Sequence, residues 1–276
     1  MRYAFATSPQ RTTWDWLLEV WTIADELPTF ESGWTFDHLY PIMGDPTEDC
    51  LEGWITLTAL LHETVRLRGG VLVTGMVYRH PGVLASMAST LDITSGGRLE
   101  LGIGAGWNEE ECEAFGIELG SMRERFERFE EGLVVIERLL RDDRTTFEGR
   151  HYEVHDAMSN PKPIQQPLPI CIGGKGRTRT IPLAARFAHH WNYSGGDTAE
   201  FVELRGLLRE HCTAAGRDPH AITCSMLARY DGDEDALGRS LSAMAEVDVD
   251  LAIVSVPKSE PPDVIERIAA VIGPGG

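Results

Sequence analysis

Residues 71–111 read VLVTGMVYRHPGVLASMASTLDITSGGRLELGIGAGWNEEE. An apolar β-type run ends at Val73-Thr74-Gly75. A stretch with proline in its first turn then predicts a helix over Pro81–Thr94, and Arg98–Ile103 returns to β-type residues. A strand, a helix and a second strand in this order form a unit whose strands lie parallel.

The same alternation continues in both directions. Strands are predicted at 3–7, 34–39, 65–74, 98–103, 168–172, 190–193, 222–228 and 249–256, and main helices at 13–27, 51–62, 81–94, 121–141, 178–188, 199–215, 233–246 and 261–271. Eight βα units in about 250 residues match a closed (β/α)8 TIM barrel. A doubly wound sheet more often stops at about five to seven strands. The stretch TTFEGRHYEVHDAMSNPKPIQQP (145–167) is too long for a simple connection. Its Phe-Glu-Gly turn predicts a small hairpin and a proline-rich return inserted before the fifth strand. No linker or repeat divides the chain, so one domain is expected over 1–276.

Against 43 acidic residues stand 25 basic ones, a net charge of −18. Such a surface repels phosphate backbones and anionic membranes, which argues against nucleic acid as a partner. No apolar run is long enough to span a membrane, and the N-terminal residues lack the apolar core of a secretory signal. The five cysteines, at 50, 112, 171, 212 and 224, are scattered and form no CxxC, which fits a reducing, cytoplasmic setting.

In a barrel of this kind the chemistry sits at the C-terminal ends of the strands. That selects Asp37-His38, Val73-Thr74-Gly75, Gly104-Ala105-Gly106-Trp107 and Gly173-Gly174-Lys175-Gly176-Arg177. Neither glycine string is a standard nucleotide motif. Trp107 stands where the dinucleotide fingerprint needs glycine, and Gly176 where a P-loop needs Ser or Thr. Glycines still let backbone N–H groups approach an anion closely, and a helix N-terminus would follow Gly176. Lys175 is one of only three lysines, with Arg177 and Arg179 beside it. A phosphate site and an ordinary basic turn explain these residues equally well.

Asp37 and His38 could form an acid–base pair. If both lay in a strand, only one side chain would enter the mouth. Loop capping by Asp37 and simple packing of His38 are the more economical readings. Glu109, Glu110, Glu111 and Glu113 crowd a helix start, where acids favour the helix dipole. Metal spacing fails throughout, since the adjacent His189 and His190 diverge in a strand, and no metal is expected. No nucleophile elbow is present. Trp107 is the tryptophan placed to face a planar cofactor.

The 71–111 stretch closely resembles the core of the luciferase-like monooxygenase family, especially its branch dependent on the deazaflavin coenzyme F420. RHP at 79–81, LD at 91–92, SGGR at 95–98 and LGIGAGW at 101–107 occur in order, and FEGRHYEV, PKPIQQPLPICIGGKG and AARFAHHWN resemble further blocks. The resemblance implies a (β/α)8 barrel with the insertion, and a flavin-type ring across the strand ends near Val73, Thr74, Gly104, Gly106 and Trp107. It implies a non-prolyl cis peptide near Leu72-Val73 or Val73-Thr74, and cofactor phosphate on Gly173, Gly174, Lys175, Gly176 and Arg177. It makes His38, with Asp37, the expected proton-transfer residue. Trp107 stands where sugar-phosphate dehydrogenases of the family carry a glutamate. The expected activity is hydride transfer between F420 and an organic small molecule. An FMN-dependent monooxygenase and a non-catalytic flavin-binding protein are the alternatives, and the resemblance leaves a homodimer open.

Overall fold

The computed structural model describes residues 1–273. Nine strand segments form one parallel sheet in the order β3-β2-β1-β11-β10-β9-β8-β5-β4, closed by a β3–β5 pairing. The segments are β1 (Arg2–Ala6), β2 (Ser32–Thr35), β3 (Arg68–Val71), β4 (Thr74–Gly75), β5 (Leu99–Gly104), β8 (Ile170–Gly173), β9 (His190–Tyr193), β10 (Thr223–Arg229) and β11 (Leu251–Ser255). β3 and β4 are two pieces of one barrel strand, both pairing with β5. The result is the expected eight-stranded barrel.

Each barrel strand feeds a helix on the outside. The helices are α1 (Trp14–Glu26), α2 (Gly53–Glu63), α3 (Pro81–Thr94), α4 (Glu109–Ala114), α5 (Met122–Arg141), α6 (Thr180–Phe187), α7 (Thr198–Ala214), α8 (Glu234–Glu246) and α9 (Val264–Ile272). Their starts follow local chemistry. Ser121 and Glu124 form a reciprocal capping box on α5, and Thr13, Asp197 and Asp233 cap α1, α7 and α8. Among the described residues no helix is long and apolar enough to cross a membrane.

The insertion before β8 is an antiparallel hairpin, β6 (Thr145–Glu148) with β7 (Glu153–Ala157), then a return carrying cis prolines at 161 and 167. Asp92 fastens that return by accepting from the Gln165 backbone N–H at 3.0 Å and side-chain amide at 2.6 Å. Arg98 closes the other end of the barrel, donating to the carbonyls of Leu61, Thr64 and Leu67 at 2.5–3.0 Å, so the C-terminal turn of α2 finds its acceptors' partners.

Two cores divide the apolar side chains. The larger lies between strands and helices, built from residues such as Trp21, Leu57, Phe129 and Phe201. The smaller fills the barrel itself with Ala4, Trp34, Cys171, Leu251 and Ile253. Gly70 makes room for the second: a Cβ there would lie 2.5 Å from the Trp34 ring and 2.6 Å from the Glu100 carbonyl oxygen.

One expectation changes and one holds. The second strand ends at Thr35, not 39, so Asp37 and His38 lie in the loop beyond it. The third strand breaks at a cis peptide between Leu72 and Val73, the earlier of the two expected places.

Candidate active site

A cavity of about 350 Å³ opens at the C-terminal ends of the barrel strands. Its walls are mainly apolar, from Phe36, Ile42, Leu72, Val73, Trp107 and Leu227. Its polar side chains are few: Asp37, His38, Tyr78, Asn192 and Ser194. An apolar cleft with a handful of convergent polar groups is the usual form of a small-molecule site.

His38 and Asp37 both reach this cavity because the chain has left the strand. Strand alternation would have sent them to opposite faces, but side-chain partners now set their directions. His38 Nδ1 lies 2.8 Å from Glu111 Oε2, and the other Glu111 oxygen accepts from the Leu39 N–H at 2.6 Å. The Tyr78 hydroxyl donates to the same carboxylate. Glu111 is fully buried at the start of α4. Burial alone would push its pKa up, but the hydrogen bonds from His38, Tyr78 and Leu39 outweigh it and hold it below the usual carboxylate range. An ionised Glu111 takes the Nδ1 proton of His38 as its hydrogen bond, which leaves Nε2 as the nitrogen able to exchange a proton. Burial, then the Glu111 hydrogen bond and charge, push the Tyr78 phenol well above its ordinary value, so it stays a donor.

Asp37 is held differently. Arg79 grips both its oxygens, at 2.5 and 3.1 Å, and the Thr74 hydroxyl donates to it at 2.9 Å. Arg79 also binds Glu52 at 2.5 Å, and Trp54 Nε1 donates to Thr74 at 2.5 Å. With every near donor engaged, Asp37 anchors the loop that carries His38.

The floor of the cavity is the Leu72-Val73 bulge. Gly104 and Gly173 flank it so closely that a Cβ at either would lie 2.9 or 3.0 Å from a Val73 methyl carbon. Gly106 and Gly174, with φ of +87° and +124°, carry the chain past the rim in conformations that favour glycine. At one end the Gly174–Arg179 turn leads into α6, whose Ile181 N–H donates to the Gly176 carbonyl at 3.0 Å and whose Pro182 has no N–H, so of its first turn only the Thr180 N–H is left beside those of the turn for an anion.

Of the expected residues, Asp37, His38, Val73, Gly106, Trp107, Gly173 and Gly174 meet around this one cavity. Thr74 and Gly104 stand behind its wall, against Asp37 and Val73 respectively. Lys175 and Arg177 point to α7 instead, pairing with Glu200 at 3.0 Å and Glu203 at 2.6 Å. Gly176 packs against Thr180 in the same turn.

Sequence reasoning passed over Glu111, Tyr78, Arg79 and Asn192. Glu111 was one of four acids credited to the helix dipole, and only its burial separates it from Glu109, whose side chain is 84% exposed. Arg79 opens the RHP block and Tyr78 directly precedes it, so both could have been weighed with it. The structure also gathers Glu100, Cys171 and His190, whose possible ligand atoms lie within 4.8 Å of one another. Three different strands supply them, so spacing could not reveal the group. Both His190 nitrogens already have partners, Glu100 at 2.5 Å and Ser225 at 2.6 Å.

The family model described as luciferase-like monooxygenase matches residues 3–268 of the chain. An F420-dependent glucose-6-phosphate dehydrogenase of Microbacterium testaceum is 31% identical over 242 residues, which are 87% of this chain and 64% of that protein. An F420-dependent hydroxymycolic acid dehydrogenase of Mycobacterium tuberculosis is 30% identical over 219 residues, 79% of this chain and 59% of that one. The matched part thus spans less than two thirds of either relative. A solved F420-dependent secondary alcohol dehydrogenase, in complex with an F420-acetone adduct, shares the fold with a TM-score of 0.87, at 18% identity and 99% coverage of both chains.

Proposed function

The chain belongs to the luciferase-like monooxygenase family, and on that premise we propose that it is an F420-dependent oxidoreductase acting on an organic small molecule. Bound F420 would supply the hydride-exchanging carbon of its deazaflavin ring, chemistry that no side chain provides. The protein's part is to bind, orient and handle the proton. Val73 backs the ring, with Gly106, Trp107, Gly173 and Gly174 around it. The turn through Lys175, Gly176 and Arg177 takes the phosphate. His38 Nε2 exchanges the substrate proton, and Glu111 fixes the tautomer and offsets the charge His38 gains. Asp37, tied to Arg79, keeps the His38 loop in place.

The observation that carries this reading is the contact of His38 Nδ1 with the buried Glu111 at the cavity wall. A base oriented by a carboxylate is machinery a mere cofactor carrier does not need. The test is a side-by-side fluorescence titration of the purified protein with F420 and with FMN. Micromolar or tighter F420 binding, at least tenfold stronger than FMN, is the expected result. Equal or preferential FMN binding moves the protein to oxygen-dependent chemistry, and binding of neither overturns the reading.

A further inference from the structure

We infer that the substrate of this site is an uncharged, largely apolar alcohol or carbonyl compound, seated between Trp107 and the barrel mouth. The inference rests on the deazaflavin reading above and adds the substrate class to it.

The first argument is charge. Among the described residues no lysine or arginine lines the cavity. The nearest cations along the chain serve other anions: Arg79 holds Asp37 and Glu52, and Lys175 and Arg177, paired with Glu200 and Glu203 at the turn, are those given to the cofactor phosphate. Buried Glu111 adds a negative charge beside His38, and the whole chain carries −18. A phosphate or carboxylate on the substrate would meet repulsion and find no fork or ammonium to receive it.

The second argument is the supply of hydrogen bonds. Asp37 is consumed by Arg79 and Thr74, and the Tyr78 hydroxyl by Glu111. What remains for a ligand is His38 Nε2 with Ser194 and the part of the Asn192 amide that does not donate to Ser225. That suits one hydroxyl or carbonyl oxygen. A sugar would bury several hydroxyls without partners, each at a cost that a polar pocket must repay.

The third argument is the rim. Trp107 is 60% exposed, Phe115 54% and Met43 64%, all on loops or helix ends at the barrel mouth. The Trp107 ring meets the His38 imidazole edge to face at 5.5 Å, and Phe115 stacks on Tyr40 at 6.3 Å. Exposed large apolar side chains gathered around a cleft mark a surface meant to be covered. A ligand with its polar carbon at His38 and its apolar body on Trp107 covers it.

In the oxidative direction the carbinol C–H bond breaks as hydride leaves for the deazaflavin. The hydroxyl proton passes to His38 Nε2, and the product is the carbonyl compound. The reverse direction returns both.

The test is calorimetry of isopropanol, cyclohexanol and menthol, with glucose 6-phosphate and lactate as anionic probes, on both the apoprotein and the F420-loaded protein. Each buried methylene tightens binding about fourfold, so affinity should rise at least about tenfold from isopropanol to cyclohexanol, with no saturable binding of either anion. Trp107→Ala should flatten the series and Trp107→Phe should keep most of it. A flat series in the unmodified protein, or either anion binding more tightly than cyclohexanol, overturns the inference. Failure of F420 itself to bind overturns the cofactor reading alone, because the apoprotein arm still reads the alcohol series.

Discussion

Two histidine–glutamate pairs, one at the mouth of the barrel and one in its interior, do different things. At the mouth, His38 sits 2.8 Å from Glu111 and borders the cavity. In the barrel interior, His190 sits 2.5 Å from Glu100, its second nitrogen on Ser225 and its ring edge-on to Trp34 at 5.5 Å. The chemistry of the pairs is the same. What differs is whether one nitrogen is left over. His38 has a nitrogen to lend to a ligand, while His190, itself 3% exposed, has both engaged. A histidine that is fully satisfied is structure, and one that is half satisfied at a cavity is machinery.

The sharpest way to break this contrast is to neutralise each carboxylate in turn. Glu111→Gln keeps the size and the Leu39 contact but removes the charge that orients His38. Reduction of bound F420 by the tightest-binding alcohol should slow by about 10²–10³-fold, with substrate affinity little changed. Glu100→Gln should leave that rate within about threefold and instead destabilise the fold by about 1.5–3 kcal/mol, read as a lower unfolding midpoint. If the two variants trade effects, the assignment of machinery and structure is reversed.

The interior pair also has a signature in pH. Burial alone would depress the His190 pKa, but the Cys171 and Glu100 side chains outweigh it and lift it to about 10. The unfolded value is near 6.5. A pKa raised on folding means the native state holds the proton more tightly. The stabilisation is therefore complete below about pH 6.5 and is lost as pH rises toward 10. The unfolding midpoint of the unmodified protein should fall across that window, and His190→Gln should remove this part of the slope. A slope unchanged by the substitution means that His190 does not carry the charge.

The same contrast explains how far the sequence could be read. Alternating β and helical patterns predicted the barrel because each strand and helix shows its own periodicity, with RHP and SGGR framing α3 and LGIGAGW running off the end of β5. Several residues in those blocks turn out to hold the frame: Arg79 ties the His38 loop and Arg98 ends α2. Pairings across the chain were not legible. Glu111 is 73 residues from His38, and its three acidic neighbours on the helix look identical in sequence. Glu100 and His190 are 90 residues apart and come from different strands. Burial selects among like residues, and burial is a property of the closed barrel. The second strand was read too long for the same reason, since Phe36-Asp37-His38 has strand-like residues but Asp37 and His38 find side-chain partners instead of ladder bonds.

The smallest effect tests a third kind of pairing, at the surface. Lys175 and Arg177, the expected phosphate ligands, are occupied by Glu200 and Glu203 of α7, with Arg177 gripping both Glu203 oxygens at 2.6 Å. All four side chains are substantially exposed, so these pairs are weak and screened by salt. A cofactor phosphate would have to displace Glu203 before Arg177 could serve it. Glu203→Gln removes the competitor without touching the guanidinium, and F420 affinity should rise roughly two- to fivefold at low salt, with the gain vanishing at high salt. Arg177→Ala should move affinity the other way. If Glu203→Gln leaves affinity unchanged or lower at low salt, Arg177 is no phosphate ligand, and the anion is met by the backbone of the glycine turn alone.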